Sequence, residues 1–267
     1  MNRLLVTLLF FSIAFADEGL AFRGSLCRTD YLEPNQEIEG VVSLLNNSRQ
    51  PLSVKIYPTD LTSTVNEEVK FPKAGTCERS NASWIDCKYD IIEIPPLALA
   101  SYRYKVRVPN DASLQGSYWS VLMFEAEEDP IPFSFPDGAE VKATKRYAYQ
   151  VVSQIGHQGV CDVKVLDRRV ERQRHAKHYI LEVENSGSLS LRLEPEVEVI
   201  DEQGRYLGFF SSSPRLLYPL CSTRFEIDIS QIPKGSYRAR VAFKSEEITV
   251  FSTEYAISVP EALDRKN

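Results

Sequence analysis

The sequence predicts an all-β protein made of two tandem β-sandwich domains that follow an export signal. The first observation is that tyrosines and valines alternate with cations in residues 102–108 (YRYKVRV), as in a strand that buries one face. The second is that this unit recurs. Gly116-Ser117-Tyr118 opens the next strand of the first copy, and Gly235-Ser236-Tyr237 has the same place within residues 224–243. The third is that no stretch has a convincing helical period.

A tyrosine near the start of the penultimate strand, after a turn that holds glycine, is typical of an immunoglobulin-like sandwich. We therefore predict two tandem immunoglobulin-like β-sandwich domains, because a repeated unit in a chain of this length favours two domains of ordinary size. The two glycines within residues 155–160 mark the predicted boundary. The predicted division is a signal peptide at residues 1–16, domains at 17–156 and 157–260, and a charged tail at 261–267.

Residues 1–16 have the features of a cleaved signal peptide. Arg3 precedes an apolar run, and Ala14-Phe15-Ala16 matches the A-x-A cleavage pattern, so the mature chain is expected to begin at Asp17. The run is too short to span a bilayer, which predicts a soluble protein of the periplasm or the cell surface. The chain carries 31 basic and 37 acidic residues, and this negative balance disfavours nucleic-acid binding.

Turn residues divide the rest of each half into strands. Besides the repeated unit, the predicted strands of the first half are residues 19–26, 36–45, 52–57, 89–94 and 144–155. Those of the second half are residues 161–170, 179–184, 189–200 and 248–259. The turn at Asn46-Asn47-Ser48 predicts a hairpin between its two flanking strands. Both faces of residues 144–155 are partly apolar, which suits a strand that is packed on one side and covered on the other.

Five cysteines in an exported chain are best interpreted as structural, because an oxidising compartment lets disulfides persist. Cys77 and Cys87 flank a short polar excursion and are the first predicted pair. Cys161 and Cys221 belong to the second half and are a second candidate pair, although spacing alone does not establish connectivity. Cys27 is left over, as a free buried thiol or as a partner for another chain. The close Cys-x2-Cys spacing of a zinc site is absent from the sequence, so no metal is predicted.

Two further segments are candidate contact surfaces. Residues 127–142 form a long loop with Phe133 and Phe135, which either cap the domain's own core or form an exposed surface. A cationic patch on this acidic protein comprises Arg168, Arg169, Arg172, Arg174 and Lys177. Such a patch is either a solvated sheet edge, where charges prevent self-pairing, or a docking site for an acidic partner, an envelope lipid or a glycan.

Catalytic motifs are not evident. The chain has three histidines, and it lacks the Gly-x-Ser-x-Gly elbow of serine hydrolases, the His-Glu-x-x-His of zinc proteases and a glycine-rich phosphate loop. We therefore predict that the protein is not an enzyme and needs no cofactor.

The signal peptide, the tandem domains, the short linker and the apolar loop before the last strand of the first domain together resemble the periplasmic pilus-assembly chaperones. A local resemblance to surface proteins that interact with WxL-domain proteins lies in three runs of the first domain. These are Val106-Arg107-Val108-Pro109, residues 116–122 (GSYWSVL) and residues 146–151 (RYAYQV).

Both families act by binding other proteins. The chaperone resemblance implies that the last strand of the first domain adds to an incomplete subunit, with a row formed by Tyr147, Tyr149 and Val151 beside Phe133 and Phe135. It also implies basic anchors for the subunit's C-terminus, for which Arg23, Arg28, Lys142, Lys145 and Arg146 are all candidates. The predicted function is binding of extended segments of secreted or surface proteins. The alternative is a cell-surface adhesion or glycan-binding protein.

Overall fold

The computed structural model describes residues 19–87, 90–127, 144–156, 158–173, 176–246 and 248–261. Within these ranges the chain consists of strands and one short 3-10 helix at Ala82–Trp84. The predicted all-β class is confirmed.

Two sheets and a small ribbon form the first half. Its strands in chain order are β1 (Leu20–Arg23), β2 (Cys27–Leu32), β3 (Glu37–Asn46), β4 (Leu52–Thr59), β5 (Thr62–Thr64), β6 (Glu67–Lys70), β7 (Ile85–Cys87), β8 (Ile91–Ile94), β9 (Leu99–Arg107), β10 (Gly116–Glu127) and β11 (Thr144–Ile155). One sheet has the order β1-β3-β9-β7, the other has the order β2-β11-β10-β4-β8, and β5 pairs with β6. The two sheets face each other across a core of buried side chains that includes Val42, Tyr104 and Phe124.

Two sheets also form the second half. Its strands are β12 (Val163–Gln173), β13 (Ala176–Asn185), β14 (Leu191–Ile200), β15 (Tyr206–Ser211), β16 (Arg215–Leu217), β17 (Ser222–Asp228), β18 (Gly235–Ser245) and β19 (Ile248–Val259). The order of one sheet is β12-β13-β17, and that of the other is β15-β14-β18-β19 with β16 beside β14. Since each half forms its own sheets, we keep the division at residues 156 and 157 as a proposal.

The strand pairing confirms that the repeated unit has the same place in both halves. Strand β9 pairs with β3 while β10 lies between β4 and β11, and in the second half β17 pairs with β13 while β18 lies between β14 and β19. Both Gly-Ser-Tyr motifs begin a strand, as predicted. The predicted hairpin around Asn46 is wrong, because β3 and β4 belong to different sheets. The turn carries the chain from one layer of the sandwich to the other.

A buried asparagine fixes this crossing in each half. The Asn46 amide donates to the carbonyl oxygens of Gln50 and Ile94, at 2.7 and 3.0 Å. The Asn185 amide donates to those of Leu189 and Leu217, at 2.8 and 2.9 Å. Both asparagines are fully buried. Each therefore satisfies backbone acceptors that strand pairing leaves free at the layer change.

The two halves are packed against each other through a continuous apolar cluster. Leu61, Trp119 and Met123 of the first half belong to the same buried cluster as Tyr218 and Cys221 of the second. No helix within the described residues is long and apolar enough to cross a membrane.

Candidate functional site: an open strand edge beside the domain interface

Strand β11 is only partly covered along its outer edge. On its inner side it pairs with β10 over its whole length, from Thr144 to Ile155. On its outer side it pairs with β2 in parallel, but only from Gln150 to Ile155. In the part of the chain that the structure describes, residues 144–149 have no strand on this outer side. We call residues 144–149 the open segment.

The open segment exists because the N-terminal chain changes sheets beside it. Strand β1 pairs with β3 in the opposite sheet, and the chain then crosses at Gly24, which has φ = 101°. Such a left-handed conformation is readily available only to glycine. The Ser25 hydroxyl accepts the Cys27 N–H at 3.1 Å, and the Leu26 carbonyl accepts the Gln150 N–H at 2.7 Å. Strand β2 therefore begins opposite Gln150, and it does not reach the preceding residues of β11.

The backbone of the open segment presents hydrogen-bonding groups at this edge. The N–H of Gln150 points toward β2 because it donates to Leu26. Backbone groups alternate sides along a strand, so the N–H and C=O of Arg146 and Ala148 point to the same side as those of Gln150. The backbone groups of Tyr147 and Tyr149 point instead toward β10. An unpaired row of this kind is a template for another strand.

The predicted side-chain row has a different orientation. Tyr149 and Val151 belong to the core of the first half, with 6% and 1% of their surface exposed. Tyr147 is half-buried, and its hydroxyl donates to the Leu20 carbonyl at 2.7 Å. The prediction that these three side chains face a partner is therefore corrected, because the alternation of the strand turns them into the sandwich. Phe133 and Phe135 lie outside the described residues.

An aromatic cluster supports the open segment from the core side. The ring of Phe22 lies 4.8 Å from that of Tyr147 and 5.1 Å from that of Phe124, measured between centroids. Phe22 is carried by β1, so the strand that leaves this edge uncovered also closes the core behind it. A strand added at the edge would place every second side chain beside Phe22 and Tyr147.

The other face of the open segment is polar at one end. The guanidinium of Arg146 lies 2.9 Å from the Glu125 carboxylate, which also accepts the Tyr57 hydroxyl at 2.8 Å. The hydrogen bond from Tyr57 holds the pKa of Glu125 below its usual value, burial opposes it, and the charge of Arg146 lowers the pKa further. Glu125 thus stays ionised at neutral pH. Ala148, next along the face, packs against the interdomain cluster.

Aromatic stacking joins the two halves where β11 meets β2. The rings of Trp119 and Tyr218 are parallel within 7°, with centroids 4.7 Å apart. The Trp119 indole N–H donates to the Leu61 carbonyl at 2.8 Å, and the Tyr218 hydroxyl donates to the Gln150 side chain. Cys27 lies against the same hydroxyl. The second half therefore packs beside the covered part of β11, next to the open segment.

Hydrogen bonds around Ser117 also join the two halves. Ser117 N–H donates to the Ser188 carbonyl at 2.8 Å, and Ser190 N–H donates to the Ser117 hydroxyl at 2.8 Å. Gly116 has φ = 81°, and a Cβ there would lie 2.3 Å from the Ser188 oxygen. Only glycine fits this position, which explains the glycine of the first Gly-Ser-Tyr motif by its contact with the second half.

The predicted cationic patch is not a continuous cationic surface in the described residues. Arg169 is paired with Asp167, Glu171 and Glu182. The guanidinium of Arg168 lies 4.0 Å from the centre of the Tyr255 ring.

The other members of the patch are also engaged or lie elsewhere. Arg172 donates to the Glu261 carbonyl at 3.2 Å. Lys177 is only 6% exposed, and its ammonium donates to the Ile232 carbonyl. Arg174 lies outside the described residues. The alternation of β12 and the acidic side chains near it disperse the charges that the sequence places together.

The candidate basic anchors are engaged to different degrees. Arg28 lies 2.8 Å from Asp30, and Arg146 is held by Glu125. Arg23 is exposed at the end of β1. Lys142 lies outside the described residues, and the backbone of Lys145 pairs with that of Ala126 on β10.

All five cysteines are free thiols in this structure. The predicted pairs Cys77–Cys87 and Cys161–Cys221 are therefore not formed. Cys87 belongs to β7 and packs against the first core, whereas Cys221 belongs to the interdomain cluster. Cys161 is exposed just before β12. Among the described residues there is no group of three or more histidine, cysteine or acidic side chains arranged to hold a metal ion.

No protein-family model matches the chain, and no curated protein matches it. Its similarities are to solved structures. One is a chaperone–tip adhesin complex of CFA/I fimbriae biogenesis, 14% identical over 91% of this chain and 99% of that chain, with a TM-score of 0.47. Another is the class 5 fimbriae chaperone CfaA, 13% identical over 91% of this chain and 100% of that chain, with a TM-score of 0.45.

A third is the Salmonella enterica SafA pilin in complex with the SafB chaperone, 12% identical over 94% of this chain and 99% of that chain, with a TM-score of 0.39. Fimbrial chaperones are thus among the solved structures to which this chain is similar. With identities this low, the function has to be derived from the geometry of this chain itself.

Proposed function

We propose that this protein binds an extended segment of a secreted or surface protein by β-strand addition to the open segment, as a chaperone-like factor of the cell envelope. The observation that carries the proposal is the outer edge of β11, where β2 covers Gln150–Ile155 and no strand among the described residues covers 144–149. Strand addition gives affinity through the backbone and specificity through every second side chain. The open segment supplies both.

The two faces of the edge define the chemistry of the segment that fits. On the core side, the incoming side chains would meet the rings of Phe22 and Tyr147, which favour apolar residues. On the other side they would meet Ala148 and the Arg146–Glu125 pair, which tolerate small or polar residues. We therefore expect a segment in which apolar residues alternate with small or polar ones. The added strand would lie end to end with β2 along the outer edge of β11.

Predicted export supports this proposal. The signal peptide predicted at residues 1–16, which lie outside the described residues, supports a location in the periplasm or outside the cell. A binding protein with an open strand edge is useful there, because secreted subunits cross the membrane unfolded and expose unpaired strands.

The test replaces Ala148 with proline. Proline has no N–H, and at Ala148 the missing N–H would be the one that points to the open edge, so the sandwich should still fold. Tyr149→Pro would instead remove an N–H that points to β10. The matched control is Glu93→Pro on β8, at the opposite edge of the same sheet. There the Ile56 N–H donates to the Asp90 carbonyl at 2.7 Å, so the alternation turns Glu93 away from β4.

The measurement is capture of exported proteins by the chain, followed by amide hydrogen exchange of the purified complex. We expect a protein partner whose binding protects the Arg146 and Ala148 amides from exchange. The partner should be lost from Ala148→Pro and retained by Glu93→Pro, with both variants folded by circular dichroism. Retention of the partner by Ala148→Pro, or protection at another surface without protection of these two amides, would refute strand addition.

The dispersed charges of the Arg168 to Lys177 region do not favour the adhesion or glycan-binding alternative. Arg169 is surrounded by three carboxylates and the Lys177 ammonium is buried.

A further inference from the structure

Two cysteines lie at the domain interface and a third lies near it, although the three are far apart in the sequence. Cys27 is on β2 and Cys221 precedes β17, whereas Cys77 lies between β6 and β7, in the excursion that residues 71–84 form. Cys27 and Cys221 both belong to the interdomain cluster around Tyr218. Neither the fold nor the proposed function accounts for this concentration of thiols.

A hydrogen bond to Asp60 holds Cys77 near the interface. The Cys77 N–H donates to the Asp60 carboxylate at 2.7 Å, and Thr76 N–H donates to the same oxygen at 2.8 Å. Asp60 immediately precedes Leu61, which is buried in the interdomain cluster. Cys77 is therefore anchored to the residue beside a side chain that packs in the same cluster as Cys221.

The second half contributes Cys221 from the other side of this segment. Ser222, its neighbour, accepts the Val65 N–H on its hydroxyl at 3.1 Å, and its carbonyl accepts the Ser63 hydroxyl at 3.4 Å. Residues 60–65 thus contact Cys77 at one end, through Asp60, and Ser222, the neighbour of Cys221, at the other. Burial raises the pKa of Cys77, and the negative charges of Asp60 and of an ionised Cys221 raise it further.

We propose that Cys77 and Cys221 form a disulfide bond that links the two domains covalently when the protein meets an oxidising thiol–disulfide environment. This pairing differs from the two that sequence spacing favours. Cys87 is directed into the first core, where it packs with that cluster beside Tyr102, and Cys161 is exposed at the start of the second half. The bond goes beyond the proposed function, because it concerns how the domains are held and not what the open segment binds.

The oxidant is a low-molecular-weight or protein disulfide. The Cys77 thiolate attacks one sulfur of the disulfide, which forms a mixed disulfide and releases one thiolate. The Cys221 thiolate then attacks the Cys77 sulfur, so the protein S–S bond forms and the second thiolate leaves. Two protein thiols are oxidised, one disulfide is reduced to two thiols, and the two protons pass to the released thiolates. Because the pKa of Cys77 is raised, we expect the reaction to be slow at neutral pH and faster at alkaline pH.

Trypsin separates all five cysteines, which makes the test direct. The expected peptides are residues 24–28 for Cys27, 74–79 for Cys77, 80–88 for Cys87, 147–164 for Cys161 and 216–224 for Cys221. The full chain is incubated with oxidised glutathione, free thiols are blocked with N-ethylmaleimide, and the non-reduced digest is analysed by mass spectrometry. We expect a linked species of residues 74–79 and 216–224 that disappears on reduction.

Three serine variants complete the experiment. Cys77→Ser and Cys221→Ser should each abolish the linked species, whereas Cys161→Ser should leave it unchanged. Oxidised chain should also unfold at a higher urea concentration than reduced chain, and this difference should vanish in Cys77→Ser. Glutathione on the exposed Cys161 shows that the oxidant has acted. The proposal is wrong if Cys161 carries glutathione while Cys77 and Cys221 both carry N-ethylmaleimide. It is also wrong if Cys77 or Cys221 is joined to another cysteine.

Discussion

Asp60 is the residue whose replacement most directly tests how the excursion is fixed. It is fully buried, and its carboxylate accepts hydrogen bonds from the backbone N–H groups of Gly75, Thr76 and Cys77, at 3.1, 2.8 and 2.7 Å. The Ser80 hydroxyl donates to it as well. One carboxylate therefore holds three backbone donors of a segment without regular structure. The perturbation that removes its charge but keeps its shape is Asp60→Asn.

The magnitude follows from the geometry of the two oxygens. The amide NH2 of asparagine is best accommodated at Oδ1, where it can donate to Ser80 and leaves only the Gly75 N–H without an acceptor. Gly75 is exposed, so water can replace the lost acceptor at little cost. The three remaining hydrogen bonds, from Thr76, Cys77 and Ser80, lose their charge assistance, at about 0.5–1.5 kcal/mol each. We expect Asp60→Asn to lower the free energy of unfolding by about 1.5–4.5 kcal/mol.

The pH dependence has a definite sign. Burial by itself would raise the pKa of Asp60, but the hydrogen bonds from Ser80 and from the Cys77, Gly75 and Thr76 backbone outweigh it and lower the pKa below that of an unfolded aspartate. The stabilisation is therefore fully present above the unfolded pKa of about 3.9 and is lost as the pH falls through the folded value. The difference between wild type and Asp60→Asn should shrink in this acid range.

Urea unfolding of both proteins from neutral pH into that range measures the effect. The matched control is Asp111→Asn, because exposed Asp111 also accepts a backbone N–H and a hydroxyl, both from Ser113, at 2.9 and 2.6 Å. Asp111→Asn should change stability far less. A loss below about 1 kcal/mol for Asp60→Asn at neutral pH, or a loss that stays constant through the acid range, would show that the carboxylate does not anchor the excursion.

Two further predictions concern residues that the sequence does not single out. Asn185→Ala leaves the Leu189 and Leu217 carbonyls without their donor, and we expect the free energy of unfolding to fall by about 2–3 kcal/mol. Ser186→Ala, at the exposed next position, should have little effect on the urea midpoint. Equal midpoints for the two variants would contradict this. Trp119→Ala should cost about 3–5 kcal/mol because it removes a buried interdomain ring. In a double-mutant cycle with Tyr218→Ala, the double variant should lose about 0.5–1.5 kcal/mol less stability than the sum of the two single losses, because the stacking energy is lost only once. Strict additivity would mean that the rings do not interact energetically.

The strands could be predicted because their signal is local. In residues 102–108 the apolar side chains are the buried ones, and the cations on the other face pair with acidic residues of β3, as Lys105 does with Glu37 at 2.7 Å. The period of two fixes which side chains are inside without reference to any other strand. This is why the class and the repeat were predicted correctly.

Which strands pair is not a local property, and there the sequence was insufficient. A turn such as Asn46-Asn47-Ser48 can close a hairpin or carry the chain to the opposite sheet, and the difference lies in whether a buried amide finds acceptors at Gln50 and Ile94. Trp119 and Tyr218 meet across the interface although about a hundred residues separate them. The thiols are a third case, since short spacing favours Cys77 with Cys87, whereas Cys87 packs against the first core and the Cys77 N–H is held by Asp60.

The open segment shows most clearly what a pattern leaves undetermined. Alternation in residues 144–155 identifies a strand and predicts its apolar row, but the row of Tyr149 and Val151 faces the core. The proposed binding uses the backbone of the strand, and the length of edge that β2 leaves for it depends on where β2 begins. That point is set by the crossing at Gly24 and by the hydrogen bond from Gln150 to Leu26. A crossing two residues earlier would let β2 cover Ala148 and remove part of the edge, so the N-terminal chain determines how much of β11 is available for binding.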